Sequence, residues 1–458
     1  MGRSGQLVWV AAALAATCLP QTTTAETPAA RSRAAAKTEQ GVSSQGRLED
    51  RIRVLERKLE EKEAATAEER GMRQRLDGVE KDVKAVRQSI AKSFGLEFHG
   101  LVATNYTYNF NTPDSNRNGI RVFDEDHNSI NLDLANLHVG WSRPKLGVSA
   151  VMDLDFGKTA EVVGRVTRWS NSGSNTESQN SFELRQAYLG YAIPETPLSI
   201  QAGKFVTYHG AEIIKAYNNQ NWNISNSILF GSSIPFTHTG LLATLTLPEE
   251  LGSVSGGIVN GWDNVVDNND SKSLHGMISL TPDPVISFGV STSYGAEQND
   301  SGRSKRLMVS PLLTVKPIDE LTLIAEYNYG NESNVVLLGN GVFARHPITG
   351  ATFPGNASWQ GAAGYIVWDP IDQLQLAFRV EVFDDPDGVR TAFQEFGYGP
   401  GATFWEVTPT ISYRITDGLT WRTEYRHDES DKHFFDKDNH TAFHRGQDTL
   451  ATELLLYF

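Results

Sequence analysis

The feature that most limits what this chain can become is a two-residue alternation that recurs from residue 95 to the last position. In GLEFHGLVATNYTYNF, Leu96, Phe98, Val102, Tyr106, Tyr108 and Phe110 share one face, and Glu97, His99, Asn105, Thr107 and Asn109 share the other. KLGVSAVMDLDF repeats the pattern, with Leu146, Val148, Ala150, Met152, Leu154 and Phe156 opposed to Ser149, Asp153 and Asp155. The same period runs through 285–296, 320–330, 373–383, 402–415 and 418–428. About sixteen such segments can be counted, each near the length a tilted strand needs to cross a bilayer.

The connections alternate too. Short turns carrying Pro or Asp-Gly, near 143, 194, 248, 282, 317, 370 and 416, take turns with long polar stretches. Those stretches cover roughly 111–127, 157–181, 206–235, 263–271, 297–304, 331–357, 384–402 and 429–446. A soluble sandwich gives no reason for this order, whereas outer-membrane barrels have short periplasmic turns and long external loops. The expected fold is therefore all-β and transmembrane, an antiparallel up-and-down β-barrel of about sixteen strands over 95–458. Hydrocarbon offers backbone amides no water, so the sheet must close and the last strand must pair with the first. In the final segment LATELLLYF, Leu454, Leu456 and Phe458 then face lipid.

Composition fits once half of every strand is allowed to face water. A mean hydropathy of −0.35 and a net charge of −14 would otherwise suggest a soluble acidic protein. No stretch after residue 25 approaches the roughly 18 apolar residues of a membrane helix. The amino terminus reads as a signal peptide over 1–25: Arg3, the apolar run Leu7 to Leu19, and a small-residue cleavage site at Ala25. The single cysteine, Cys18, lies inside it after Thr17, a poor lipoprotein site, so the mature chain would hold no disulfide.

Residues 26–46 read as a flexible linker, and 47–93 as a periplasmic coiled coil. Its seam is Leu48, Ile52, Leu55 and Leu59, then, after a stammer-like break, Leu76, Val79, Val83, Val86 and Ile90. A stripe this narrow has little to bury against except another copy of itself, which points to oligomerisation.

GKFVTYHGAEII (203–214), SILFGSSIPFTHTGLLATL (227–245) and the segment 258–282, which contains NGWDN, resemble the outer-membrane β-barrel porins called OmpL-like. The terminal Phe458 is similar to the signal read by the outer-membrane assembly machinery in such barrels. The resemblance implies passive diffusion of small solutes. The added helical prefix resembles that of some phosphate-selective porins, where homotrimers are the rule.

Alternation nominates a lumen lining: Asp153, Asp155, Arg379, Glu381, Glu406, Arg414, Arg422, Glu424 and Arg426. On neighbouring strands these would either form facing acidic and basic walls or pair with one another. The long stretch 206–235 is the candidate for a loop folded inward, with Ile228, Leu229 and Phe230 as its constriction residues, a displaced short strand being the alternative. FDEDHN (123–128) and DNVVDNND (263–270) lack a full calcium-loop pattern and read as solvated acidic loops. His427, His433, His440 and His444 match no closed zinc spacing, so no metal or cofactor is expected. His238 sits between Thr237 and Thr239 with no carboxylate placed to complete a triad, so no catalytic residue is assigned. The acidic balance and exported address argue against nucleic-acid binding. The leading function is an outer-membrane porin; the alternatives are an envelope tether reaching the cell wall through the coiled coil and a barrel-based envelope hydrolase.

Overall fold

The computed structural model describes residues 95–458 apart from 168–180, 336–354, 392–400 and 438–441, together with scattered helical positions between 53 and 94. The signal peptide and linker fall outside the described residues, as do Leu48, Ile52, Leu55, Leu59, Leu76 and Ile90 of the seam. Val79, Val83 and Val86 are described, and each is helical and exposed.

Sixteen antiparallel strands close into one barrel. In chain order they are β1 (Leu96–Asn109), β2 (Ser129–Arg143), β3 (Val148–Phe156), β4 (Phe182–Ala192), β5 (Leu198–Val206), β6 (Thr237–Thr246), β7 (Gly252–Val259) and β8 (Ser273–Asp283). They continue as β9 (Ile286–Gln298), β10 (Ser301–Ile318), β11 (Leu321–Val335), β12 (Gly355–Ile371), β13 (Leu374–Asp385), β14 (Ala402–Thr416) and β15 (Leu419–Ser430). A small hairpin, β16 (Phe435–Lys437) and β17 (Ala442–His444), precedes the last barrel strand, β18 (Gly446–Tyr457). One helix, α1 (Lys158–Val166), lies between β3 and β4.

Closure is made by β18 lying against β1 from Leu101↔Tyr457 to Asn109↔Thr449. Phe458 extends this ladder through two backbone bonds of 3.0 Å to Gly100. Its ring covers Gly100 so closely that a Cβ there would sit 2.5 Å from Phe458 Cζ, so any larger residue would displace the ring. A bulge interrupts the alternation in β2: the β1–β2 register slips between Ala103 and Thr104, and Asp133 and Leu134 are both buried.

The side chains are distributed inside out. Along β12, β13 and β18, Ile366, Val382 and Leu454 are outward and exposed (48%, 44% and 43%), whereas Arg379, on the opposite face of β13, is fully buried. In water this apolar girdle would far exceed any tolerable patch; in a bilayer it is required. Aromatic residues ring the girdle at both edges. Phe98, Tyr191, Trp368, Tyr413, Trp421 and Phe458 are exposed near the short turns, and Phe110, Phe156, Phe182, Tyr294, Trp405 and Tyr425 near the long loops. Trp405 and Tyr413 lie on the same strand eight residues apart, about 27 Å along it at ~3.4 Å per residue and about 20 Å once tilted.

The order of short and long connections has one exception. The polar stretch 297–304 is not a loop: β9 and β10 continue through it and turn tightly at Asn299 and Asp300, the latter at φ 56°. An Asn-Asp pair tolerates the left-handed backbone that a two-residue hairpin demands.

Thr104 and Leu454 are direct partners across the closing seam, both facing outward. Cysteines at these two positions are expected to form an intramolecular disulfide in the folded barrel, seen as a faster-migrating denatured monomer that reductant restores. Only intermolecular or no cross-linking would contradict closure.

Candidate functional site in the barrel interior

The interior is organised by the segment 207–236 between β5 and β6, which turns inward and crosses the barrel. A folded-in segment brings backbone amides with no strand to pair with, and each buried one needs an acceptor. Wall carboxylates supply them. Glu424 of β15 accepts the amides of Ile224 (2.6 Å) and Ser225 (3.0 Å), the Ser225 hydroxyl (2.6 Å) and the Thr410 hydroxyl (2.7 Å). Glu381 of β13 accepts from Ile228 (2.5 Å) and Leu229 (3.1 Å). Glu326 of β11 accepts from Ala211 (2.9 Å). Within the segment, Glu212 takes the Ser227 amide and the Asn226 side chain, both at 2.9 Å.

Arginines of the same wall supply the opposite function. Arg379 donates to Glu406 (2.5 Å), Glu212 (2.8 Å) and the Ser225 carbonyl (2.7 Å). Arg426 donates to Asp428 (2.7 Å) and the Asn226 carbonyl (2.7 Å). Arg422 pairs with Glu453 (2.7 Å) and reaches the Asn221 carbonyl (3.0 Å). The far side is tied by Lys215, which bridges Asp133 (2.9 Å) and Glu453 (2.7 Å), and by Arg185, which pairs with Asp155 and reaches the Ile214 carbonyl (3.3 Å). Asp155 thus acts on the first leg of the segment through Arg185. Asp153 accepts from His138 (2.6 Å), whose ring lies against Tyr217, itself stacked on His99 at 4.3 Å.

Ile228, Leu229 and Phe230 are all buried, and Leu229 opens a π-helical turn through Ser233. Leu229 packs with Trp359, Phe383 and Phe404 of the wall; Phe230 packs with Phe123, Phe236 and Val162 and Val163 of α1. The turn is held by the Trp359 indole donating to the Ser233 carbonyl (3.1 Å) and by Arg390 donating to the Ser232 carbonyl (2.6 Å). Asp263 closes the return leg by accepting the amides of Phe236 and Thr237, each at 2.8 Å; burial nevertheless pushes its carboxyl up to about 6.

Of the two arrangements that the alternation allows for the charged residues, the structure has the paired one: Arg379 bonds to Glu406 and Glu212, Arg422 to Glu453 and Arg426 to Asp428, because an unpaired charge buried there would cost several kcal/mol. Arg414 joins none of these pairs and is exposed near the short-turn end. The acidic loops are also less free than their composition suggests, since Asp124 pairs with Arg121, Asp126 with Lys158 and Glu125 with Arg117 and Arg165.

Residues 95–458 match the family described as beta-barrel porin-2, OmpL-like. The chain belongs to this porin family. It is accordingly an outer-membrane channel for solute diffusion. The fold of this porin is similar to that of OprB from Pseudomonas putida, at 10% identity over 82% of this chain and 97% of that one, with a TM-score of 0.50. An anion-selective porin from Comamonas acidovorans shares 8% identity over 79% of this chain and 99% of its own, TM-score 0.49. The outer membrane channel DcaP of Acinetobacter baumannii shares 12% identity over 79% and 97%, TM-score 0.48. No curated protein matches the sequence.

His238 of this porin is buried, with Nδ1 3.2 Å from the Gly261 carbonyl and Nε2 3.3 Å from the Thr207 hydroxyl. Glu212 and Lys215, which sequence reasoning did not single out, carry as much of the segment's anchoring as the residues it did. Their signal was weak, a charged residue on a loop being ordinarily solvated.

Glu424→Ala removes the acceptor of two buried amides and is expected to cost about 1–3 kcal/mol of stability for each stranded donor and to raise single-channel conductance as the segment loosens. Thr104→Ala, on the lipid-facing side of β1, is the control. Unchanged conductance in a folded Glu424→Ala barrel would contradict the anchoring.

Proposed function

We propose that this porin passes small hydrophilic solutes or ions by passive diffusion through a passage narrowed by the segment 207–236, with Ile228 to Phe230 at its tightest turn. The observation that carries this reading is the direction of the anchors: Arg379 and Glu381 of β13 and Arg422, Glu424 and Arg426 of β15 point inward and hold that segment, while the outward girdle is apolar. The remaining wall is lined with small side chains. Thr244 of β6 and Ser255 of β7 meet at 2.9 Å and are only half-buried, which leaves room for water on that side. Of the nominated lining residues, Arg414 meets passing ions directly, and Arg379, Glu381, Glu406, Arg422, Glu424, Arg426, Asp153 and Asp155 set the passage through the segment they position. No chemistry beyond diffusion is required of them, and we read the protein as non-enzymatic.

The short-turn end faces the periplasm in this reading, and the helical region 47–93 lies there as the coiled coil of a homotrimer. Exposed Val79, Val83 and Val86 on a helix support it, since an exposed apolar stripe is what a coiled coil buries. Lipid contacts the outer girdle, and the Phe458 terminus is the element read by the assembly machinery. A tether to the cell wall would use the same helix.

The test is single-channel recording of the mature protein in a planar bilayer, with and without residues 47–92. Stepwise ohmic current is expected from both, with the deletion losing trimers in mild detergent. A folded barrel that passes no current would remove the porin reading, and intact trimers without the helix would leave it to the tether.

A further inference from the structure

Three histidines that lie far apart in sequence meet inside the barrel, against the side opposite the arginine network. His209 comes from the first leg of the inward segment, His238 from β6 and His275 from β8, and all three are buried. One ring nitrogen from each lies within 4.8 Å of the others. The His238 and His275 rings are 4.2 Å apart, and His209 is 5.3 Å from His275.

The hydrogen bonds fix where the protons sit. The Gly261 carbonyl can only accept, so His238 carries its proton on Nδ1 and leaves an Nε2 lone pair, 3.3 Å from the Thr207 hydroxyl. His275 Nδ1 lies 3.0 Å from the Ser293 hydroxyl, and its Nε2 is buried with no partner. His209 Nδ1 lies 2.8 Å from the Ser291 hydroxyl and its Nε2 2.8 Å from that of Ser293. The network is satisfied when Nδ1 of every ring donates outward, His275 to Ser293, Ser293 to His209 Nε2 and His209 to Ser291. Each ring then keeps an Nε2 lone pair, that of His209 taken by the Ser293 hydroxyl, that of His238 facing Thr207 and that of His275 bonded to nothing.

A buried cluster of imidazole lone pairs, one of them unpartnered, is unfavourable as it stands, because a buried polar atom without a bond costs free energy. Three neutral imidazoles with outward Nδ1–H bonds are also the donor set of a transition-metal site, in which second-shell hydrogen bonds hold the rings and leave a fourth position open. Nothing in the sequence spacing announces it, since the residues stand 29 and 37 apart.

We propose that His209, His238 and His275 bind one divalent transition-metal ion of the zinc or copper class through their Nε2 atoms, and that the ion staples the inward segment to β6 and β8. Ring shifts of at most about 0.8 Å each bring nitrogens within 4.8 Å of one another to the spacing of roughly 3.3–3.5 Å implied by Zn–N bonds near 2.0–2.1 Å. The ion replaces the Ser293 hydroxyl at His209 and gives His275 Nε2 its missing partner. Hard cations such as magnesium and calcium are not expected, as they take oxygen ligands.

The test uses the untagged mature barrel refolded with Zn2+ and, separately, given Zn2+ after folding, then dialysed and assayed for metal per chain. One Zn2+ per chain in at least one of the two is expected, with a rise in melting temperature. Co2+ as a probe should give the intense visible absorption of a low-coordinate nitrogen site. His275→Ala, which keeps the segment's carboxylate anchors, should lose both signals at least tenfold, while His427→Ala at the long-loop end should keep them. Absence of stoichiometric Zn2+, a weak octahedral Co2+ spectrum, or retention of both signals in His275→Ala would overturn the proposal. Should His275→Ala not fold, the wild-type Co2+ spectrum and stoichiometry decide alone.

Discussion

The structure depends on one exchange: a segment with no strand partner gives its buried amides to carboxylates of the barrel wall. Ile224, Ser225, Ile228 and Leu229 would each leave an unsatisfied donor if Glu424 and Glu381 were apolar. Those carboxylates are in turn tolerable only because Arg379, Arg422 and Arg426 stand beside them and take the segment's carbonyls. Wall and segment are therefore a single polar network, in which removing one partner strands several others.

The same exchange explains why charge is concentrated on one side. Strands β13, β14, β15 and β18 carry the long charged side chains because the segment lies against them, whereas β6 to β9 carry Ser, Thr, Gly and two of the three clustered histidines. The outer face is simpler. It answers to hydrocarbon, so large apolar side chains dominate it and aromatics band its edges.

Much of the fold is legible in the sequence because the lipid imposes a period of two on every strand and a closed sheet on the whole. The alternation located the strands, and Pro and Asp-Gly located the turns. What it hid was local. The two residues Asn299 and Asp300 make a hairpin inside a polar stretch that reads as a loop, since strand residues beyond the bilayer need no apolar face. The interior is less legible still. Alternation tells which residues point inward but not what they touch, so Arg379 and Glu406 could be named while Glu212, from the loop, could not be assigned to them. His209, His238 and His275 are brought together by curvature and a crossing segment, neither of which has a sequence period.

The central claim is that the segment is held by the wall and not merely enclosed by it. Hydrogen–deuterium exchange of the folded barrel in detergent, read at the amides of 224–229, tests this directly. Held amides are predicted to exchange as slowly as those in the middle of β13 and β14. Exchange as fast as in the open long loops would contradict the account.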